Sequence, residues 1–186
     1  MKSAILLGLV FTVSGAVSGF AGDLTDDQMT SIIRSLAPTV SAPVVAGTPP
    51  PPTAVKVTVK QTVIVIDAAH SLDFEVYFPF DSAELTPKAR DELTALGRAL
   101  ASDELRDHSY LISGHTDAKG SADYNLDLSA RRANAVREFL IRDFPIAPDR
   151  LVAAGFGEGQ LKVPDAPYAG LNRRVEVALI LSRGDR

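Results

Sequence analysis

The 186-residue chain contains no cysteine and no tryptophan. The missing thiols exclude disulfides, thiolate metal sites, a cysteine nucleophile and a lipid-carrying N-terminal cysteine. An excess of positive charge is missing too. The formal net charge is −4 at pH 7, so the chain lacks the basic face that nucleic-acid binding requires. Beyond the first residues, no apolar run approaches the length of a membrane-spanning helix. What is present is ordinary for a globular protein, with 46% hydrophobic and 23% charged residues. Such a chain folds by its own core. Carboxylates, guanidiniums and backbone groups are left to carry its chemistry, with no cofactor or metal implied.

The chain opens with Met1 and Lys2, then the apolar run Ala4 to Val13 and a stretch of small residues. Gly19-Phe20-Ala21 fits the small-x-small rule for signal peptidase, so residues 1–21 read as a secretory signal cleaved after Ala21. An uncleaved anchor is the alternative. The mature chain is then exported and acidic, with no transmembrane segment. Within residues 22–37, Asp23 to Leu36 can form a short helix with Ile32, Ile33 and Leu36 on one side. Half of the twelve prolines fall between Pro38 and Pro52. Proline donates no ladder hydrogen bond and favours extended polyproline II, so residues 38–56 read as a semi-rigid spacer. A proline-rich ligand for another domain is the alternative.

Residues 57–186 read as one folded domain. Val57, Val59, Val63 and Val65 suggest β-structure of open register. Leu72, Phe74, Val76, Phe78 and Phe80 alternate with polar residues, a half-buried strand. Thr86-Pro87 supplies an N-cap and first helical position. Ala89, Leu93, Leu96 and Leu100 then form one buried stripe of a helix. A strand at Tyr110–Ile112, a helix from Ser121 to Arg142, and strands at Leu151–Gly155 and Arg174–Leu181 follow. The expected architecture is a two-layer α/β (α+β) sandwich, with a mixed sheet and the helices on one face.

One arginine stands out on the longer helix. At about 100° per residue from Leu128, Arg132 falls near 40°, among Phe139, Val136, Leu140 and Ala135. A charge on a core face is costly unless paired. Asn125 lies on the same face, near 60° on that wheel. The strand before this helix runs into Gly114-His115-Thr116-Asp117, which places Asp117 near the helix start. A carboxylate and a guanidinium facing one cleft match a zwitterion, the guanidinium taking a carboxylate through a two-pronged contact. A buried Asp117–Arg132 ion pair is the equally simple alternative.

The runs Phe80-Asp81-Ser82-Ala83-Glu84-Leu85, Gly114-His115-Thr116-Asp117, Tyr124-Asn125, Leu128-Ser129, Arg131-Arg132-Ala133, Gly155-x-Gly157-Glu158 and Asn172-Arg173-Arg174-Val175 resemble the OmpA-like C-terminal domain. That family includes the peptidoglycan-associated lipoprotein and the flagellar stator wall-binding domain. The resemblance spans about Ser71 to Leu181. It implies a βαβαββ fold and non-covalent binding of peptidoglycan. It further implies that Asp117 and Arg132 grip the diaminopimelate of the stem peptide. Thr116, Asn125 and Leu128 would line the cleft, and Phe80 and Asp81 would close its side. Plain core is the alternative for Phe80 and Leu128. Arg173 and Arg174 open the last strand. Strand neighbours point to opposite faces, so one of them would reach the ligand, and Arg174 is favoured. The expected location is the periplasm, with outer-membrane association through an envelope protein that partners the N-terminal arm. The segment between Ala21 and Val57 is too short for a barrel, and no lipidation cysteine exists, so the wall-binding half is expected without a membrane half.

A cell-wall hydrolase is the rival of another class. No His-Glu-x-x-His occurs, and His70, His108 and His115 lie on separate segments, which does not suit a zinc site. No Gly-x-Ser-x-Gly occurs either. Gly155-x-Gly157-x-Gly159 follows a strand but leads to Pro164, not into a helix, so it does not make a phosphate loop. A binding protein, not an enzyme, is expected. A purely structural adaptor acting through the N-terminal arm is compatible with that reading.

Overall fold

A computed structural model describes residues 23–38, 53–59, 61–76, 78–79 and 81–184. The signal assigned to residues 1–21, most of the proline-rich segment and Phe80 lie outside these residues. In chain order the elements are α1 (Asp23–Leu36), β1 (Ala54–Val59), β2 (Thr62–Phe74), α2 (Pro87–Leu100), β3 (Tyr110–His115), α3 (Ala122–Asp143), β4 (Leu151–Gly157) and β5 (Val175–Gly184). The sheet order is β1-β2-β5-β3-β4. Only β3 and β4 run parallel; the other neighbours are antiparallel. The mixed sheet and two-layer α+β arrangement agree with expectation, with a β1–β2 hairpin at its front. No described helix is long and apolar enough to cross a membrane.

Helix α2 forms as its sequence dictates. Thr86 accepts a hydrogen bond from Ala89 N at 3.2 Å, and Pro87 occupies the first turn. Ala89, Leu93, Leu96 and Leu100 are all fully buried. They pack with Val136, Phe139 and Leu140 of α3 and with Tyr110, Ile112, Val175 and Val177 of the sheet to form the main core. A smaller apolar cluster lies on the opposite sheet face, built from Val57, Ile64, Ile66, Leu111, Ala154 and Ala178.

Strand β2 differs from the sequence reading. The alternating run Leu72 to Phe80 was expected to be one strand, but β2 ends at Phe74. Its register against β5 jumps from Asp67↔Leu179 to Ser71↔Ala178. The three extra residues form a bulge, and an odd insertion reverses which side chains face which side. Ile64 and Ile66 therefore serve the smaller cluster, while Leu72 and Phe74 pack on the helix side. Asp67 holds the bulge. It accepts hydrogen bonds from Ala69 N at 3.0 Å and Thr53 Oγ1, and pairs with His70 Nδ1 at 2.8 Å. A side chain locking an extra loop of backbone is not visible in a hydrophobic period.

Two further boundaries move. Strand β1 begins at Ala54, inside the 38–56 segment read as spacer, because Ala54 pairs with Asp67 across the hairpin. Helix α1 was read as part of an arm, yet Ile32 and Leu36 are buried in the main core, with Met29 and Ile33 packed on it. Both flanks of the proline-rich segment thus belong to one body.

The turn after α2 is closed by Arg150. Its Nη1 donates to Leu100 O at 3.0 Å, its Nη2 to Leu105 O at 2.7 Å and its Nε to His108 O at 2.8 Å. One guanidinium gathers three carbonyls across the end of α2 and the turn that follows, Leu105 O also accepting from His108 N. Arg150→Ala is expected to destabilise the fold by about 2–4 kcal/mol, measured by urea unfolding, and Arg150→Lys to recover little of it, since an ammonium lacks the planar fork.

Candidate functional site

The site is set by how closely α3 crosses the ends of β3 and β4. A Cβ on Gly114 would lie 2.2 Å from Ser129 O, and one on Gly155 would lie 2.4 Å from Ala130 N. Only glycine permits that approach. Ser129 is fully buried there and accepts from Gly157 N at 2.9 Å. The first half of α3, capped by Ser121, consequently lies against the loop that leaves β3.

That loop carries Thr116 and Asp117, both buried. Thr116 N donates to Gly157 O at 3.0 Å, and Ala118 N to Pro167 O at 3.0 Å. Asn125, buried on α3, donates through Nδ2 to Asp117 O at 3.3 Å and to Glu158 Oε2 at 2.6 Å. Asp117 Oδ1 accepts from Lys119 N at 3.1 Å, and Oδ2 accepts from Arg173 Nη1 at 2.6 Å. Asp117 is therefore paired with Arg173 and not with Arg132.

Arg132 sits on the apolar side of α3, as its helical position requires. Its Nε donates to Ser82 O at 3.0 Å, and its guanidinium lies 4.9 Å from the centroid of the Phe78 ring. Burial lowers its pKa, and the neighbouring Arg173 and Arg131 push in the same direction. A cavity of about 80 Å³ opens beside it, lined by Arg132, Arg173, Arg174, His115, Phe78 and Val76 among others.

The remaining expected residues sort by position. Asp81 is exposed, holds a left-handed backbone with φ of 51°, and accepts from Tyr124 Oη at 2.6 Å. It fastens the 81–82 segment to α3. Leu128 is buried on α3 and does not line the cavity. Phe80 lies outside the described residues.

The choice between Arg173 and Arg174 rested on strand alternation, and the structure removes that premise. Strand β5 starts at Val175, while Arg173 caps a 3-10 turn at Gly170–Asn172. Both arginines line the cavity. Arg174 is held at its back, donating from Nε to Asp73 Oδ1 at 3.0 Å. Arg173 is the one that reaches Asp117. The turn that aims Arg173 is built around Asn172, fully buried, which accepts from Val163 N and donates to Ala166 O and Pro167 O. An isolated asparagine in a polar loop gives no periodic signal for such a role.

The sequence offers His115 only as a metal or catalytic candidate. Its side chain is fully buried, stacked on Phe156 at 5.6 Å between centroids. Neither ring nitrogen has a hydrogen-bond partner among the described residues, and Nε2 stands 3.6 Å from Glu176 Oε2, beyond bonding distance. Burial lowers its pKa, against the raising effect of Glu176. A histidine whose folded pKa lies below its unfolded value leaves the unfolded state binding more protons, so stability is full above the unfolded pKa and falls as pH drops below it. The urea midpoint is expected to decline from pH 7.5 to pH 5.5, and His115→Gln to flatten that decline whatever its own stability.

The OmpA family matches residues 77–174. The chain is 34% identical over 110 residues to outer membrane porin F of Pseudomonas fluorescens, covering 58% of this chain and 33% of the relative. It is 32% identical over 103 residues to the peptidoglycan-associated lipoprotein of Pseudomonas aeruginosa, covering 54% of this chain and 59% of the relative. It therefore spans less than two thirds of either relative's length. The OmpA-like domain of FopA1 from Francisella tularensis superposes with a TM-score of 0.50 at 20% identity, covering 72% of this chain and 82% of that domain, which shows a shared fold. With the matched segment running from just after β2 through the Asp117 loop, α3 and Arg174, this chain belongs to the OmpA family.

Proposed function

We propose that the chain binds peptidoglycan non-covalently in the bacterial periplasm, through the diaminopimelate of the stem peptide, and so tethers or organises the cell envelope. The observation that carries this reading is that Arg173, paired with the buried carboxylate of Asp117, lines the same cavity as Arg132. A carboxylate takes an ammonium group and guanidiniums take carboxylates, which is the complement of an amino acid's two charges. The groups sit on rigid supports: the end of β3, the first turns of α3 and the turn before β5. The kinship with a peptidoglycan-associated lipoprotein supports the same ligand. On this reading an envelope protein engages the N-terminal segment that precedes the sheet.

The test is co-sedimentation with purified sacculi. Asp117→Asn and Arg132→Ala are each expected to weaken binding about tenfold or more, from the loss of one charge-assisted contact, while thermal unfolding stays cooperative. Free diaminopimelate is expected to compete and lysine to compete poorly. Wild-type sedimentation by both variants overturns the assignment. Release of soluble muropeptides during the incubation would show a hydrolase instead.

A further inference from the structure

The contact between Arg173 and Asp117 raises a question that the stem-peptide reading leaves open. Asp117 accepts from Lys119 N through one oxygen and from Arg173 through the other, so the position where a ligand ammonium would bind already holds a guanidinium. The two partners are unequal. The Asp117 side chain is 12% exposed and that of Arg173 is 53% exposed. The carboxylate is fixed by its loop, whereas the guanidinium can rotate into water at little desolvation cost.

The surroundings favour such an exchange. Arg173 Nη2 lies over Gly170, where an added Cβ would come within 3.2 Å of it. No side chain at that position walls the arginine in. Arg132 lines the same cavity as Arg173, and the two like charges oppose each other. A guanidinium leaving Asp117 stays beside a cavity lined by Arg132 and Arg174, with Glu75 the one carboxylate in that lining.

We propose that Arg173 is a specificity-determining residue that acts by exchange: a ligand ammonium displaces it from Asp117, and the freed guanidinium then takes a carboxylate of the same ligand. A ligand bearing only an ammonium breaks the Arg173–Asp117 pair and leaves Arg173 with nothing to bind. A ligand bearing both groups on one centre restores every charge-assisted contact. The distal end of diaminopimelate carries both groups, and lysine carries only the ammonium. The cleft therefore rejects lysine through an internal competitor as well as through a missing attraction. The inference rests on the stem-peptide reading.

The experiment titrates the full chain with two synthetic stem tripeptides, one ending in meso-diaminopimelate and one in lysine, by calorimetry. Wild type is expected to prefer the first by about a hundredfold, the scale of one or two charge-assisted contacts. In Arg173→Gln the competitor is gone. The lysine peptide should then bind about five- to tenfold tighter than it binds wild type, while the diaminopimelate peptide weakens, so the preference collapses toward tenfold. Arg173→Lys keeps the internal charge but not the two-pronged contact. It should still exclude the lysine peptide while losing affinity for the diaminopimelate peptide. Equal weakening of both peptides by Arg173→Gln, or no change in either, overturns the exchange while leaving the cleft reading intact. A wild-type chain that binds neither peptide overturns both. Thermal unfolding of each variant reports on the fold, and Arg173 is exposed enough for wild-type behaviour.

Discussion

The approach of α3 to the ends of β3 and β4 is the constraint on which the site depends. Gly114 and Gly155 remove two side chains, and Ser129 fills the space with a hydroxyl that bonds the strand end. Without that approach, α3 would ride higher on the sheet, and Asn125 would not reach the backbone of Asp117. Packing energy in the main core holds the helix down, while the glycines set how far down it goes. The cleft chemistry is thus a by-product of a backbone distance.

Two neighbouring arginines divide the electrostatic work. Arg174 faces Asp73 and Glu176, with Lys162 also paired to Asp73 at 2.5 Å. This group ties β2, the loop after β4 and β5 together behind the cavity. Arg173 faces forward to Asp117. His115 is fully buried 3.6 Å from Glu176, and that burial lowers its pKa. One network gives rigidity, and the other remains open to a ligand.

Much of this was legible in the sequence, for reasons that can be named. Arg132 announced itself because a charge on an apolar helical face violates a strong periodic expectation, and Asp117 because it follows a buried strand into a glycine-containing loop. The buried stripe of α2 followed directly from its spacing. Arg173 was harder, because its orientation depends on where β5 begins, and Asn172 decides that from within an aperiodic turn. The β2 bulge was hidden for a related reason. Ile64, Ile66, Leu72 and Phe74 share one parity in sequence, and only Asp67 and its three bonding partners reveal that they face opposite ways. The docking of α1 was not readable because a short amphipathic helix does not say which surface it covers.

That docking sets a path for mechanical load. If the chain is held elsewhere at its N-terminal end, tension enters the body through α1, where Ile32 and Leu36 are lodged in the core. The helix must peel away before a pull entering at Asp23 reaches β1. Strand β1 is separated from β3 by β2 and β5 and comes under load only after α1 has let go, whereas the cleft carries the load throughout. A pulled chain would lengthen before it let go, with α1 acting as a fuse in series with the grip.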